Sequence, residues 1–187
     1  MTKPGDRTQT YDRRFTRLVG RDKHHALYTP AVRGQGERWY DEAHEYAEAL
    51  AARHHVSLEV ACAIISAFSP RTPWKRNKEL ADLFLEGKPT PGLSRNREAA
   101  ERATVIAFDA LAGRKTNAFA RNIYGDDTVV TVDVWMARAA GLDPDKKITP
   151  KQYREISRAV IKMARRHRVS PPAMQAIIWI MARGRAA

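Results

Sequence analysis

The sequence predicts an all-helical protein, and three observations carry that prediction. Apolar residues recur at helical spacing in successive segments. Capping and stop residues stand where helices of ordinary length would begin and end. No series of alternating β-branched runs is present, Thr128–Val132 being a single extended stretch. A chain of 187 residues fits one domain, or two small helical lobes sharing a core.

The elements follow in order. Met1–Gln9 is polar and reads as disordered, with no apolar core of a secretory signal. Tyr11, Phe15, Leu18 and Val19 predict a short helix stopped by Gly20. From Arg21 to Gly36 the chain reads as an irregular basic stretch, broken by Pro30, Gly34 and Gly36. Residues 1–35 are therefore expected to be a basic, partly irregular arm, and residues 36–187 a single helical domain. Trp39, Tyr40, Ala43, Tyr46, Ala47, Leu50 and Ala51 give an amphipathic helix to about Arg53. Ser57 caps the next, Leu58–Phe68, which is apolar nearly all round and so is the central buried helix. After the turn Ser69-Pro70-Arg71-Thr72-Pro73, Thr72 is expected to cap a helix beginning at Pro73 and stopping near Gly87. Ser94 opens a helix to about Ala110, Gly113 makes a tight turn, and Thr116–Tyr124 is a short helix ended by Gly125. Val134–Ala140 is helical and Gly141 closes it. Thr149-Pro150-Lys151-Gln152 has the form of a capping box for a helix to His167, and Ser170-Pro171 starts the last, ending near Gly184.

Charge narrows the function. Thirty-three Lys and Arg against 21 Asp and Glu leave a net charge of +12. Such an excess favours a polyanionic partner, although a solvated basic surface has the same composition. No apolar run approaches the roughly 20 residues needed to span a bilayer, so a membrane partner is not expected. The single cysteine, Cys62, lies in an apolar run and reads as a small core residue. It leaves no internal disulfide and no cysteine-built zinc or iron–sulfur site.

Two segments can carry chemistry. Leu111-Ala112-Gly113-Arg114-Lys115-Thr116 lies at a glycine turn between helices, giving a hairpin over 111–125. Outward backbone N–H groups at such a turn can hold a DNA phosphate without reading sequence. Eighteen positions beyond Lys115 stands Asp133, after an extended run and at a helix start, followed by Trp135 and Arg138.

These residues resemble the helix-hairpin-helix DNA glycosylases, the endonuclease III group in particular. That family's hairpin ends in Gly-Arg-Lys-Thr, matched by Gly113-Arg114-Lys115-Thr116, and its catalytic Asp lies in a Val-Asp-x-x-x-x-Arg context, matched by Val132-Asp133 and Arg138. Ile64-Ile65-Ser66-Ala67 followed by Thr72 resembles the family's buried helix. Ser69-Pro70, Trp74 and Asn77 resemble a phage-borne branch of the fold, and also enzymes proposed to modify hypermodified thymine in phage DNA. The resemblance implies about eight helices in two small lobes with a cleft between, and a monomer acting on duplex DNA mainly through phosphate contacts. It places the protein in the cytoplasm with the nucleoid, or in the host cytoplasm for a phage protein. Asp133 would stabilise positive charge on the sugar as the base leaves, or activate the nucleophile. Lys115 would be a phosphate contact first and an amine nucleophile second. Gly113, Arg114, Lys115, Thr116, Phe68, Arg71, Lys75 and Arg138 would face DNA, with Phe68 where the family has a gap-filling Gln. Ser69, Trp74, Asn77 and Trp135 would line the base pocket, Trp135 standing where a His is usual. No cofactor or metal is required, apart from a monovalent cation held by the hairpin.

Each residue also has a plainer use. Asp133 suits a helix N-cap, a role compatible with catalysis. Trp74, Trp179 and Phe68 suit core packing. Arg13, Arg14, Arg17, Arg21 and Lys23, and separately Arg165, Arg166, His167 and Arg168, are either DNA-contacting patches or solvated faces. The histidines read as surface, because neither His24-His25 nor His54-His55 has chelate spacing and His44-Glu45 lacks a second His. Three functions remain open: a DNA N-glycosylase with or without lyase activity, a non-catalytic hairpin DNA-binding protein, and a group transferase on a hypermodified pyrimidine.

Overall fold

The computed structural model describes residues 5–20, 29–143 and 145–184. The described residues form α1 (Thr8–Gly20), α2 (Pro30–His54), α3 (Leu58–Phe68), α4 (Trp74–Leu85), α5 (Ser94–Ile106), a 3-10 helix (Ala107–Ala110), α6 (Arg114–Tyr124), α7 (Val134–Ala139), α8 (Pro150–His167) and α9 (Pro171–Arg183). The all-α class is shown, with no strand among the described residues. No helix among them is long and apolar enough to cross a membrane.

Three starts are set by the expected caps. The hydroxyls of Ser57, Thr149 and Ser170 accept from Val60, Gln152 and Ala173 N–H, and Gln152 completes the capping box. Three boundaries differ from the sequence reading. Thr72 does not cap α4; Pro73 holds that position, and the Thr72 hydroxyl instead donates to the Pro70 carbonyl, 3.2 Å away. α5 stops at Ile106, because Ala107 adopts φ +44 and the chain continues to Ala110 as a tighter 3-10 turn. α6 begins at Arg114 rather than Thr116.

The largest difference is α2, which runs straight through Gly34 and Gly36. Glycine in a helix interior costs about 1 kcal/mol relative to alanine, so spacing alone reads as a break. At Gly36 the missing side chain is what the packing requires: a Cβ there would lie 2.8 Å from the backbone nitrogen of Ile177 and 2.9 Å from its Cα. The glycine lets α9 approach the α2 backbone.

The described residues divide into two compact units, one formed up to Tyr40 and from Asp127 onward, the other by Asp41–Asp126. In the first unit, Tyr11, Phe15 and Val19 fall four residues apart on one face of α1 and are buried with Ile156, Val160 and Met163 of α8 and Met174, Ile177 and Ile178 of α9. The stretch read as an N-terminal arm thus contributes α1 to a packed core. Both terminal nitrogens of Arg166 donate to the Asp12 carboxylate, at 3.0 and 2.6 Å, and Lys162 lies 3.0 Å from it. Arg14 donates to the Ala140 carbonyl. Arg166 and Arg14 are therefore held by protein partners; Arg21 and Lys23 lie outside the described residues.

In the second unit α3 is central, fully lined by buried side chains from Ala61 to Phe68, with α4, α5, α6 and the 3-10 helix packed on it. The Ser66 hydroxyl donates to the Thr116 carbonyl at 2.6 Å, fixing α3 to the first turn of α6. Burial pushes the Cys62 thiol up to about 12, leaving it an inert core residue. Two histidines read as surface are structural. His44 Nδ1 donates to the Ile123 carbonyl at 2.8 Å, and His54, its side chain 11% exposed, places Nε2 2.6 Å from Asp82.

Candidate functional site

The candidate residues gather in one cluster within each unit. In the first unit, Asp133 stands in extended conformation, φ −106 and ψ −172, at the entrance to α7. The approach is fixed from below. Tyr153 donates its hydroxyl to the Val130 carbonyl at 2.9 Å and accepts from the Val132 N–H at 3.3 Å. Beside it the Tyr40 hydroxyl donates to Gln175 Oε1 at 2.8 Å, and burial holds that phenol well above the ordinary tyrosine range, so it stays a neutral donor.

The Asp133 carboxylate is held by three donors. Oδ1 accepts from the Trp135 and Met136 N–H groups, each at 2.9 Å, which is the capping role. Oδ2 accepts from the indole N–H of Trp179 at 3.0 Å. Trp179 is itself braced by the Arg183 guanidinium, 4.8 Å from its ring centre, and by Trp39 at 6.3 Å. A carboxylate offers about four acceptor positions. With three taken, a half-buried Asp133 retains capacity on Oδ2 for one further donor or for a developing cation. The Arg138 guanidinium covers Trp135 at 4.4 Å, so the expected DNA contact and the expected pocket residue are partners of each other.

Trp179 reads from the sequence as a packing residue, and its bond to Asp133, 46 positions away, leaves no local pattern. The only available signal is general: a largely buried indole N–H usually finds an acceptor.

In the second unit, Lys115 donates from Nζ to the Ser69 hydroxyl at 2.7 Å and lies 4.8 Å from the Phe119 ring centre. Phe119 meets Trp74 edge-on at 6.4 Å, Trp74 meets Tyr46 at 6.1 Å, and the Lys78 ammonium lies 5.5 Å from Trp74. The structure thereby brings together Ser69, Trp74 and Lys115. Asn77, one turn along α4 from Trp74, is 1% exposed, and its Oδ1 has no hydrogen-bond partner.

One expected DNA contact is corrected. Phe68 is 3% exposed and packs at 5.7 Å against Phe84, so it is a core residue and presents no face to a partner. The half-buried Thr116 donates its hydroxyl to the carbonyl of the exposed Gly113 at 2.9 Å. Arg71, Lys75, Gly113, Arg114 and Arg138 are exposed, Arg71 with an unusual φ of +60. α6 starts at the hairpin glycine with no side-chain cap. Among the described residues no group of three His, Cys, Asp or Glu is placed to hold a metal ion.

A family model, described as a family of unknown function, matches residues 6–186. The chain belongs to the DUF7178 family. The DUF7178 match spans Asp133 and Trp179 as well as Ser69 and Lys115. No curated protein and no solved structure matches the chain.

Proposed function

We propose that this DUF7178 protein is a DNA-binding N-glycosylase acting on a damaged or modified base in duplex DNA. The observation that carries the reading is the Asp133 carboxylate, whose Oδ2 is oriented by Trp179 beyond anything an N-cap requires. Cleavage breaks the bond between C1′ and the base nitrogen. The base leaves with the electron pair and gains a proton, C1′ gains positive character, and water adds to it to give an abasic site. A fixed carboxylate stabilises that cation. Support for DNA as the partner comes from the net charge of +12 and from Gly113 and Arg114 exposed at an uncapped helix start. Lys115, donating to Ser69, is read as a cationic contact and not as an amine nucleophile, so the reaction proposed is hydrolytic, without a lyase step.

The test uses end-labelled duplexes carrying uracil, oxidised, alkylated or hypermodified bases, incubated with wild type and Asp133→Asn. Alkali-dependent cleavage by wild type alone, with no borohydride-trapped adduct, is expected. The capping bonds of Asp133 Oδ1 favour one second reading, a non-catalytic hairpin DNA-binding protein. Salt-sensitive binding by both proteins with no cleavage on any base would establish it. Modification that needs a second substrate and leaves no abasic site would establish the group transferase.

A further inference from the structure

Two helices of the first unit carry one charged side chain each. In α7 it is Arg138 and in α9 it is Arg183. Both sit over a tryptophan ring, Arg138 4.4 Å from the centre of Trp135 and Arg183 4.8 Å from that of Trp179. Both tryptophans also hold Asp133: Trp135 gives its backbone N–H to Oδ1, and Trp179 gives its indole N–H to Oδ2. The carboxylate therefore has an arginine-covered tryptophan at each of its two oxygens. Neither guanidinium makes a hydrogen bond or ion pair among the described residues, so neither neutralises Asp133.

A guanidinium over an indole engages the ring with its face and keeps its N–H donors at its edge. Held by the ring, it loses less freedom when those donors bind. The acceptors that match a planar fork of donors are carboxylate and phosphate. Neither α7 nor α9 contains an acid to fill that role. The charges of the site are thus one anion accompanied by two cations. Its complement is anionic at two places and gains positive charge between them. A nucleic-acid strand repeats that pattern, with a phosphate on either side of every sugar. In the proposed cleavage the sugar at Asp133 is the group that gains positive character.

We propose that Arg138 and Arg183 grip the two phosphates that flank the nucleotide held at Asp133, and so set which sugar meets the carboxylate. The proposal rests on the DNA reading above.

The test uses a duplex of roughly 25 base pairs with one central tetrahydrofuran residue, an abasic-site analogue with no base to extrude. In separate duplexes a neutral methylphosphonate replaces the phosphate immediately 5′ of that residue, the one immediately 3′ of it, or one near the duplex end. Fluorescence anisotropy gives the affinity of wild type, Arg138→Gln and Arg183→Gln for each. Wild type is expected to bind either flanking methylphosphonate duplex roughly 10-fold more weakly than the parent, and the end-substituted one nearly as well as the parent. Each variant should bind the parent roughly 10-fold more weakly and lower the salt slope by about 1. Each variant should also be indifferent to one flanking substitution, a different one for each arginine. Wild type that is indifferent to both flanking substitutions would overturn the clamp while leaving DNA binding intact, and that result needs no variant to fold. Variants that remain sensitive to both flanking substitutions, at unchanged melting temperature, would overturn it as well. Absence of binding to the parent duplex by wild type at low salt would overturn both readings.

Discussion

Asp133 combines two uses of one carboxylate, and substitutions can separate them. Asparagine is as good an N-cap as aspartate, whereas alanine is not. Asp133→Asn should therefore keep thermal stability close to wild type while removing the charge proposed to act on the sugar. Asp133→Ala should also cost about 0.5–2 kcal/mol in urea unfolding. Trp179→Phe removes the donor to Oδ2 and keeps most of the ring. It should lower the single-turnover rate roughly 10-fold with little change in DNA affinity, since the group acts on the carboxylate and not on the ligand. An unchanged rate would reduce Trp179 to a packing residue. The capping half of this arrangement was legible in the sequence, as Asp after an extended run and before a helical one. The indole half was not, because it joins residues 46 positions apart through tertiary packing.

At the scale of elements, local chemistry read well and close approach read badly. Ser57, Thr149 and Ser170 announce their helices because a cap acts within three residues. Gly34 and Gly36 look alike along the chain and differ only in what lies across from them. A Cβ at Gly34 would meet the flexible end of Arg38 at 3.2 Å, whereas one at Gly36 meets the backbone of Ile177. Gly36→Ala should destabilise by about 1–3 kcal/mol or more through overpacking. Gly34→Ala should be neutral or stabilising by up to about 1 kcal/mol, from helix propensity. Equal effects in chemical denaturation would contradict the close α2–α9 approach. Phe68 suits core packing by its apolar run and a wedge only by the resemblance; the structure gives it the core use, covered by Phe84 of α4. Between α1 and α8, burial alone would raise the Asp12 carboxyl, but hydrogen bonds from Arg166 and Lys162 outweigh it and hold it below the ordinary range. A lowered folded-state value means the contribution is present above the unfolded value, about 3.9, and is lost as pH falls through the folded one. The melting temperature of wild type should fall across that acid window more steeply than that of Asp12→Asn.

For the whole molecule, the net charge of +12 is the ground for the proposed polyanionic partner and does not locate a site. A charge of +12 predicts that log affinity for duplex DNA falls linearly with log salt, and that Arg114→Ala lowers the slope by about 1 if it contacts one phosphate. Affinity insensitive to salt would remove the electrostatic premise. Belonging to DUF7178 leaves the chemistry to be established by experiment. The most direct measurement is the single-turnover rate of abasic-site formation on the best duplex substrate, for wild type and Asp133→Asn, with affinity measured in parallel. The oriented carboxylate predicts a rate lowered by about 100-fold or more at unchanged affinity. Equal rates in the two proteins would contradict a catalytic role for Asp133.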